Sequence, residues 1–165
     1  QQNQCNIHQS FSKKIEQQIQ RQNMTLTVGF IGLGTMGLPM ARHIINRGFK
    51  LKLYARRAEV FESKAQELIN QGAVPSISLT EVVPGVDVVI TNVTGTDDVE
   101  SILIGQNGAI HSASPGTLFI DHSTIDPART MHIASTLREA GMDFVDAPVS
   151  GGVWASEEGL SLIHI

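Results

Sequence analysis

From Met24 onward, short apolar runs alternate with longer amphipathic ones, and Gly or Pro stands at most of the junctions. That alternation is the pattern of βαβ units, whose strands are buried on both faces by helices and pair in parallel. Residues 27–31 predict the first strand and 36–46 its helix, closed by Arg47-Gly48. Residues 51–54 predict the second strand, followed by one helix over 59–70 that stops at Gln71-Gly72. Ala73-Val74 reads as a short third strand, and 78–83 as a brief helical turn halted by Pro84-Gly85. A fourth strand over 87–92 is apolar in its middle, and the helix over 97–103 carries Asp97 and Asp98 at its positive end. The fifth strand is 117–121, and the helix 126–140 has Pro127 in its first turn and Gly141 after its end. Phe144-Val145-Asp146 is the sixth strand. The predicted fold is α/β, a Rossmann-type doubly wound parallel sheet.

Both ends break this pattern. Residues 1–23 hold eight glutamines and no glycine or proline. Met24 is read as the natural start, with the leader as upstream sequence translated in frame. Ile7, Phe11, Ile15 and Ile19 give part of the leader a thin helical stripe. The alternative is a disordered tail that buries too little to offset its ordering entropy. The last six residues, Leu160-Ser161-Leu162-Ile163-His164-Ile165, match the translation of a transposon end used in sequencing libraries. The native stretch is then 24–159, an incomplete domain.

A chain of 165 residues, 41% hydrophobic, builds one ordinary domain. Its net charge of −4 argues against a nucleic-acid or anionic-membrane partner. The single cysteine, Cys5, excludes an internal disulfide and fits a reducing, cytoplasmic setting. No apolar run approaches the roughly 20 residues that span a bilayer. The histidines at 8, 43, 111, 122, 132 and 164 have no metal-ligand spacing, so no metal is expected.

The chemistry concentrates where the first strand meets its helix, at Gly32-Leu33-Gly34-Thr35-Met36-Gly37. A strand ending in this spacing aims backbone N–H groups and the positive end of a helix dipole at one point, which suits a pyrophosphate. Gly32 permits the tight turn, Gly34 keeps a side chain out from between backbone and phosphate, and Gly37 lets helix and strand pack closely. The second strand runs out into Tyr54-Ala55-Arg56-Arg57, without the acid that usually meets an unphosphorylated ribose. Arg56 and Arg57 suit a 2′-phosphate, so NADP is preferred and NAD is the alternative. The plainer reading makes both arginines solvated surface cations. Glu59 lies past the strand tip and reads as a first-turn helix residue.

Three further segments are Asn92-Val93-Thr94, Asp121-His122-Ser123-Thr124-Ile125-Asp126-Pro127 and Asp146-Ala147-Pro148-Val149-Ser150-Gly151-Gly152. With Gly32 to Ala41 they resemble the β-hydroxyacid dehydrogenase family, in order and across essentially all of 24–159. The resemblance implies hydride transfer between nicotinamide C4 and a small hydroxy-acid or semialdehyde substrate. It places Val93 near the nicotinamide and brings the Thr124 hydroxyl to the nicotinamide ribose or the substrate. It has Ser150, Gly151 and Gly152 hold the substrate carboxylate. Each has a plainer reading: Val93 as core, Thr124 as the cap of the helix near Pro127, and the serine–glycine segment as a turn. His122 stands where the family often has an apolar residue. Asp121, His122 and Ser123 are no hydrolase triad, because successive strand residues point to opposite faces.

The family's proton donor is a lysine on the long helix after this domain, whereas the last lysine here is Lys64. The resemblance thus implies no catalytic residue within the chain, an absent all-helical second domain, an inactive fragment and a homo-oligomeric full-length protein. Within the family the first choice is an NADP-preferring reductase of 2-hydroxy-3-oxopropionate (tartronate semialdehyde). A 3-hydroxyisobutyrate dehydrogenase is the alternative. A non-catalytic NADP-binding or protein-interaction module is the alternative of another class.

Overall fold

The structure, a computed structural model, describes residues 26–159; the expected leader, the start at Met24 and the expected tail lie outside them. The elements run β1 (Thr27–Ile31), α1 (Gly37–Asn46), β2 (Lys50–Tyr54), α2 (Glu59–Ser63), α3 (Gln66–Asn70), β3 (Val74–Ser76) and α4 (Leu79–Val82). After them come β4 (Val88–Thr91), α5 (Thr96–Ile104), a 3-10 turn (Ala109–His111), β5 (Leu118–Asp121), α6 (Pro127–Glu139), β6 (Asp143–Asp146) and α7 (Gly152–Glu158). The six strands form one parallel sheet in the order β3-β2-β1-β4-β5-β6. β1 therefore pairs with β2 on one side and with β4 on the other, Val28 facing Leu51 and Val88. No helix among the described residues is long and apolar enough to cross a membrane.

Alternation along the strands divides the core into two layers. Val28, Phe30, Leu51, Leu53 and Ile90 point to the side covered by α1, α2 and α3, where Ala41, Phe61 and Leu68 meet them. Ile31, Val89 and Phe119 point to the other side, against Val82, Val99, Leu103, Ile133 and Leu137 of α4, α5 and α6. Each such side chain, when fully buried, stabilises the fold by about 1.5–3 kcal/mol before entropy is counted. Both faces of the central strands β1 and β4 are covered, as their near-continuous apolar runs require.

Four local expectations need correction. The helix predicted over 59–70 is two helices, α2 and α3. The Val60 carbonyl accepts from both Lys64 N and Ala65 N, each at 3.0 Å, and the second bond widens the turn. Fully buried Ala65 sits at this joint, and Phe61 and Leu68 both reach the core across it. The third strand lies one residue later than predicted, at Val74–Ser76. The glycine-rich segment after β6 is more than a turn: Gly151 (φ 107°) and Gly152 (φ 66°) open helix α7. The cap of α6 is Asp126 and not Thr124; its carboxylate accepts from Ala128 N at 2.9 Å and Arg129 N at 3.0 Å.

Candidate functional site

The strand order reverses between β1 and β4. The helix following β1 covers one face of the sheet and the helix following β4 covers the other. In open α/β sheets ligands bind at the carboxyl edge of the strands where the order reverses in this way. The glycine loop follows β1, Arg56 and Arg57 follow β2, Val93 follows β4, Thr124 follows β5 and Ser150–Gly152 follow β6. Parallel pairing thus delivers every predicted site residue to one edge.

The three loop glycines face different surroundings. Gly32 has φ 106°, and a Cβ there would lie 2.1 Å from the Asn92 carbonyl oxygen and 3.0 Å from Val93 Cγ1. A Cβ on Gly37 would lie 1.9 Å from the Gly32 carbonyl oxygen. Both positions are glycine because the backbone of the turn folds onto itself and onto the end of β4. Gly34 differs, since a Cβ there would meet nothing within 4 Å. Leu33 is buried in the core, and Thr35 is exposed. Met36 stands at the N-cap of α1 and makes no side-chain cap hydrogen bond. Of the leading positions of that helix, Leu38 N donates to the Gly34 carbonyl at 3.0 Å and Pro39 has no N–H, which leaves the Gly37 amide without a side-chain acceptor at the cap.

At the tip of β2, Arg56 is paired with Asp98 in the first turn of α5, Nη2 to Oδ1 at 2.8 Å. The hydrogen bond and then the charge of Asp98 raise the guanidinium pKa further. Arg57 is exposed. The arginine pair is thus split between an engaged side chain and a solvent-facing one.

Val93 is half-buried and packs against the second core layer, beside Gly32. Its amide donates to Ser123 Oγ at 3.0 Å, joining the loops after β4 and β5. Asn92 Nδ2 also donates to the His122 carbonyl at 3.4 Å. Thr124 is exposed at the rim. The His122 ring turns away from Asp121, with Nδ1 2.8 Å from the Ala147 carbonyl, and so no triad forms. Partial desolvation, and secondly the charge of Asp121, push the carboxyl of the exposed Asp146 above its usual range.

The segment Ser150–Gly152 is tied to the glycine loop through a contact that the sequence did not announce. Ser156 Oγ of α7 donates to the Met36 carbonyl at 2.8 Å. His43 Nε2 of α1 lies 3.1 Å and 2.8 Å from the carbonyl oxygens of Ser156 and Glu157. Both partners are backbone carbonyls, so side-chain patterning carries no trace of this clasp. Beneath it, a cavity of about 630 Å³ opens between α1 and β6, lined by Phe30, Met40, Ile90, His122, Asp146 and Ser150 among others. No group of three or more His, Cys, Asp or Glu among the described residues is placed to hold a metal ion.

Comparison with known proteins shows the family and the fold. A family model, the NAD binding domain of 6-phosphogluconate dehydrogenase, matches residues 27–164. The mitochondrial 3-hydroxyisobutyrate dehydrogenase of Mus musculus is 39% identical over 132 residues, 80% of this chain and 38% of that protein. The crystal structure of a 3-hydroxyisobutyrate dehydrogenase from Salmonella typhimurium superposes with TM-score 0.73 at 29% identity, over 81% of this chain and 45% of the other. A structure of Psf3 in complex with NADP+ and 2-OPP gives TM-score 0.72 at 29% identity, covering 81% and 46%. The chain spans less than half the length of these three proteins.

Proposed function

Because the chain belongs to the family of the NAD binding domain of 6-phosphogluconate dehydrogenase, among the β-hydroxyacid dehydrogenases, we propose that it is the cofactor-binding part of an NADP-preferring oxidoreductase of small hydroxy acids. One observation carries the dinucleotide reading. Gly32 and Gly37 are demanded by packing, whereas the space beside Gly34 is open to a Cβ, so the fold alone does not call for glycine there. A ligand pressed against that backbone does. The start of α1, with no side-chain cap at Met36, offers the Gly37 amide and a positive dipole end to the diphosphate.

When bound, the nicotinamide supplies or accepts the hydride. In this reading Arg57, with Arg56 once Asp98 yields, holds the 2′-phosphate. Val93 backs the nicotinamide, and Thr124 offers a hydroxyl at the rim to its ribose or the substrate. Ser150 and the amides of Gly151 and Gly152 hold the substrate carboxylate. The proton to the developing alkoxide comes from a lysine with no counterpart after Lys64. Catalysis is accordingly assigned to a longer protein with a helical second domain and self-association, and not to these 165 residues. The semialdehyde 2-hydroxy-3-oxopropionate is the substrate proposed first. 3-Hydroxyisobutyrate is the second reading, favoured by the relative of that specificity that is 39% identical.

Titration of the chain with NADP and with NAD, followed by the fluorescence of Trp154, tests the cofactor reading. NADP should bind more tightly. Equal affinity or tighter NAD removes the role of the arginines, and binding of neither removes the site. Steady-state rates of the longer protein on the two acids decide the substrate; inactivity on both, with NADP bound, favours the non-catalytic module.

A further inference from the structure

The ends of β4 and β5 meet at one buried carboxylate. Asp121, the last residue of β5, is 0% exposed and lies in register with Thr91, the last residue of β4. Its Oδ1 accepts from Thr91 Oγ1 at 2.6 Å, from Ser123 Oγ at 2.7 Å and from the Ser123 amide at 3.1 Å. Because the Ser123 hydroxyl gives its one proton to Asp121, its lone pairs are free to accept, and the Val93 amide fills that place at 3.0 Å. The result is a directed relay, Val93 N–H to Ser123 O–H to the Asp121 carboxylate. A second tie closes the same two loops farther out, where the Asp126 amide donates to Thr96 Oγ1 at 3.1 Å.

The fold alone does not explain an aspartate here. Asp121 Oδ2 is buried and has no hydrogen-bond partner among the described residues. A half-satisfied buried carboxylate is expensive, and a neutral side chain would avoid most of that cost. What the carboxylate supplies is a strong acceptor that orients Ser123 and, through it, the backbone of Val93.

We propose that Asp121 is a positioning residue for the nicotinamide end of the site, fixing the Val93 amide through Ser123 and thereby the spacing of the loops at 92–96 and 122–126. The inference rests on the dinucleotide reading for its functional meaning. It gives Asp121 no contact with cofactor atoms and no tie to Arg57; toward the glycine loop it acts only through Val93, which abuts Gly32.

The test compares NADP+ with 2′-phospho-ADP-ribose, which lacks the nicotinamide, on the full 165-residue chain. Asp121→Ala and Ser123→Ala should each weaken NADP+ by about tenfold, the scale of one lost charge-assisted hydrogen bond. Both should weaken 2′-phospho-ADP-ribose less, by about threefold at most, since that ligand meets the relay only indirectly, where Val93 abuts Gly32. The double variant should bind NADP+ no more weakly than either single one, because the two residues act in series. Asp121→Asn keeps an acceptor oxygen and should recover most of the affinity. Hydrogen exchange at the Val93 amide should accelerate equally in the two alanine variants. If Asp121→Ala does not fold, Ser123→Ala carries both measurements. Equal loss for the two ligands, additive losses, or unchanged Val93 exchange would each overturn the proposal. If the unsubstituted chain binds neither ligand, the dinucleotide reading falls; Val93 exchange then decides the relay by itself.

Discussion

The guanidinium of Arg56, just past the tip of β2, donates to the carboxylate of Asp98 across 2.8 Å, although the strands that precede the two residues, β2 and β4, flank opposite sides of β1. Their side chains are 77% and 39% exposed, so the pair is held in water and screened by salt. Asp98 is thus a built-in competitor for any phosphate that approaches Arg56. Asp98→Asn should tighten NADP by about threefold and leave NAD within error, the gain shrinking above the ionic strength at which the Debye length falls below about 8 Å. Replacing Arg56 and Arg57 together by Ala should weaken NADP selectively, by about tenfold. Parallel titrations at low and high salt check both.

Two glycines of one loop should separate folding from binding. Gly32→Ala forces a Cβ to 2.1 Å from the Asn92 carbonyl at φ 106°. The backbone strain alone costs about 1–3 kcal/mol, and the clash adds to it. Gly34→Ala meets nothing within 4 Å and should leave the melting temperature nearly unchanged. Its dinucleotide affinity should nonetheless fall by about tenfold or more, because the methyl group stands where the diphosphate would approach. Thermal melting beside cofactor titration distinguishes the two; a Gly34→Ala chain that binds normally would empty the loop of its role.

Asp146 makes stability depend on pH. Partial desolvation and the nearby Asp121 raise its pKa in the folded state, and its exposure keeps the effect small. The folded protein therefore holds this proton more tightly than the unfolded chain does. The associated stabilisation is complete below the unfolded value of about 3.9 and is lost as pH rises through the folded value. Asp146→Asn should melt at a higher temperature than the parent at pH 7, and the difference should vanish below about pH 3.5. A difference that persists in acid would trace to packing and not to charge.

Asp126 holds two amides of α6 and stands before Pro127, so Asp126→Ala should cost about 1 kcal/mol in denaturant unfolding. Asp126→Asn or Asp126→Ser should restore most of it. The same substitution leaves the backbone amide of residue 126 in place for Thr96, so cofactor affinity should move little.

The strands were legible because burial on both faces writes itself as uninterrupted apolar runs, as in Val88–Thr91. The glycine loop was legible because a Cβ on Gly32 or Gly37 would stand 2.1 Å or 1.9 Å from a carbonyl oxygen, which leaves glycine alone at both positions. Helix α7 was not, because Gly151 and Gly152 are poor helix formers and α7 is held in part by Ser156 and His43 meeting backbone carbonyls. The break at Ala65 was hidden for a related reason. A helical stripe through Phe61 and Leu68 looks the same whether the intervening turn is tight or wide. The pairing of Arg56 with Asp98 joins residues 42 apart, beyond any local pattern.

The position of β1 in the middle of the sheet sets the order of assembly during synthesis. β1 leaves the ribosome before its partners, and β2 follows after one crossover helix, α1. The other edge stays bare until Val88–Thr91 arrives, some sixty residues later. The nascent chain must carry an apolar, half-dressed ribbon through that interval, so its yield in cells should depend on how well that exposed seam is shielded before β4 closes it.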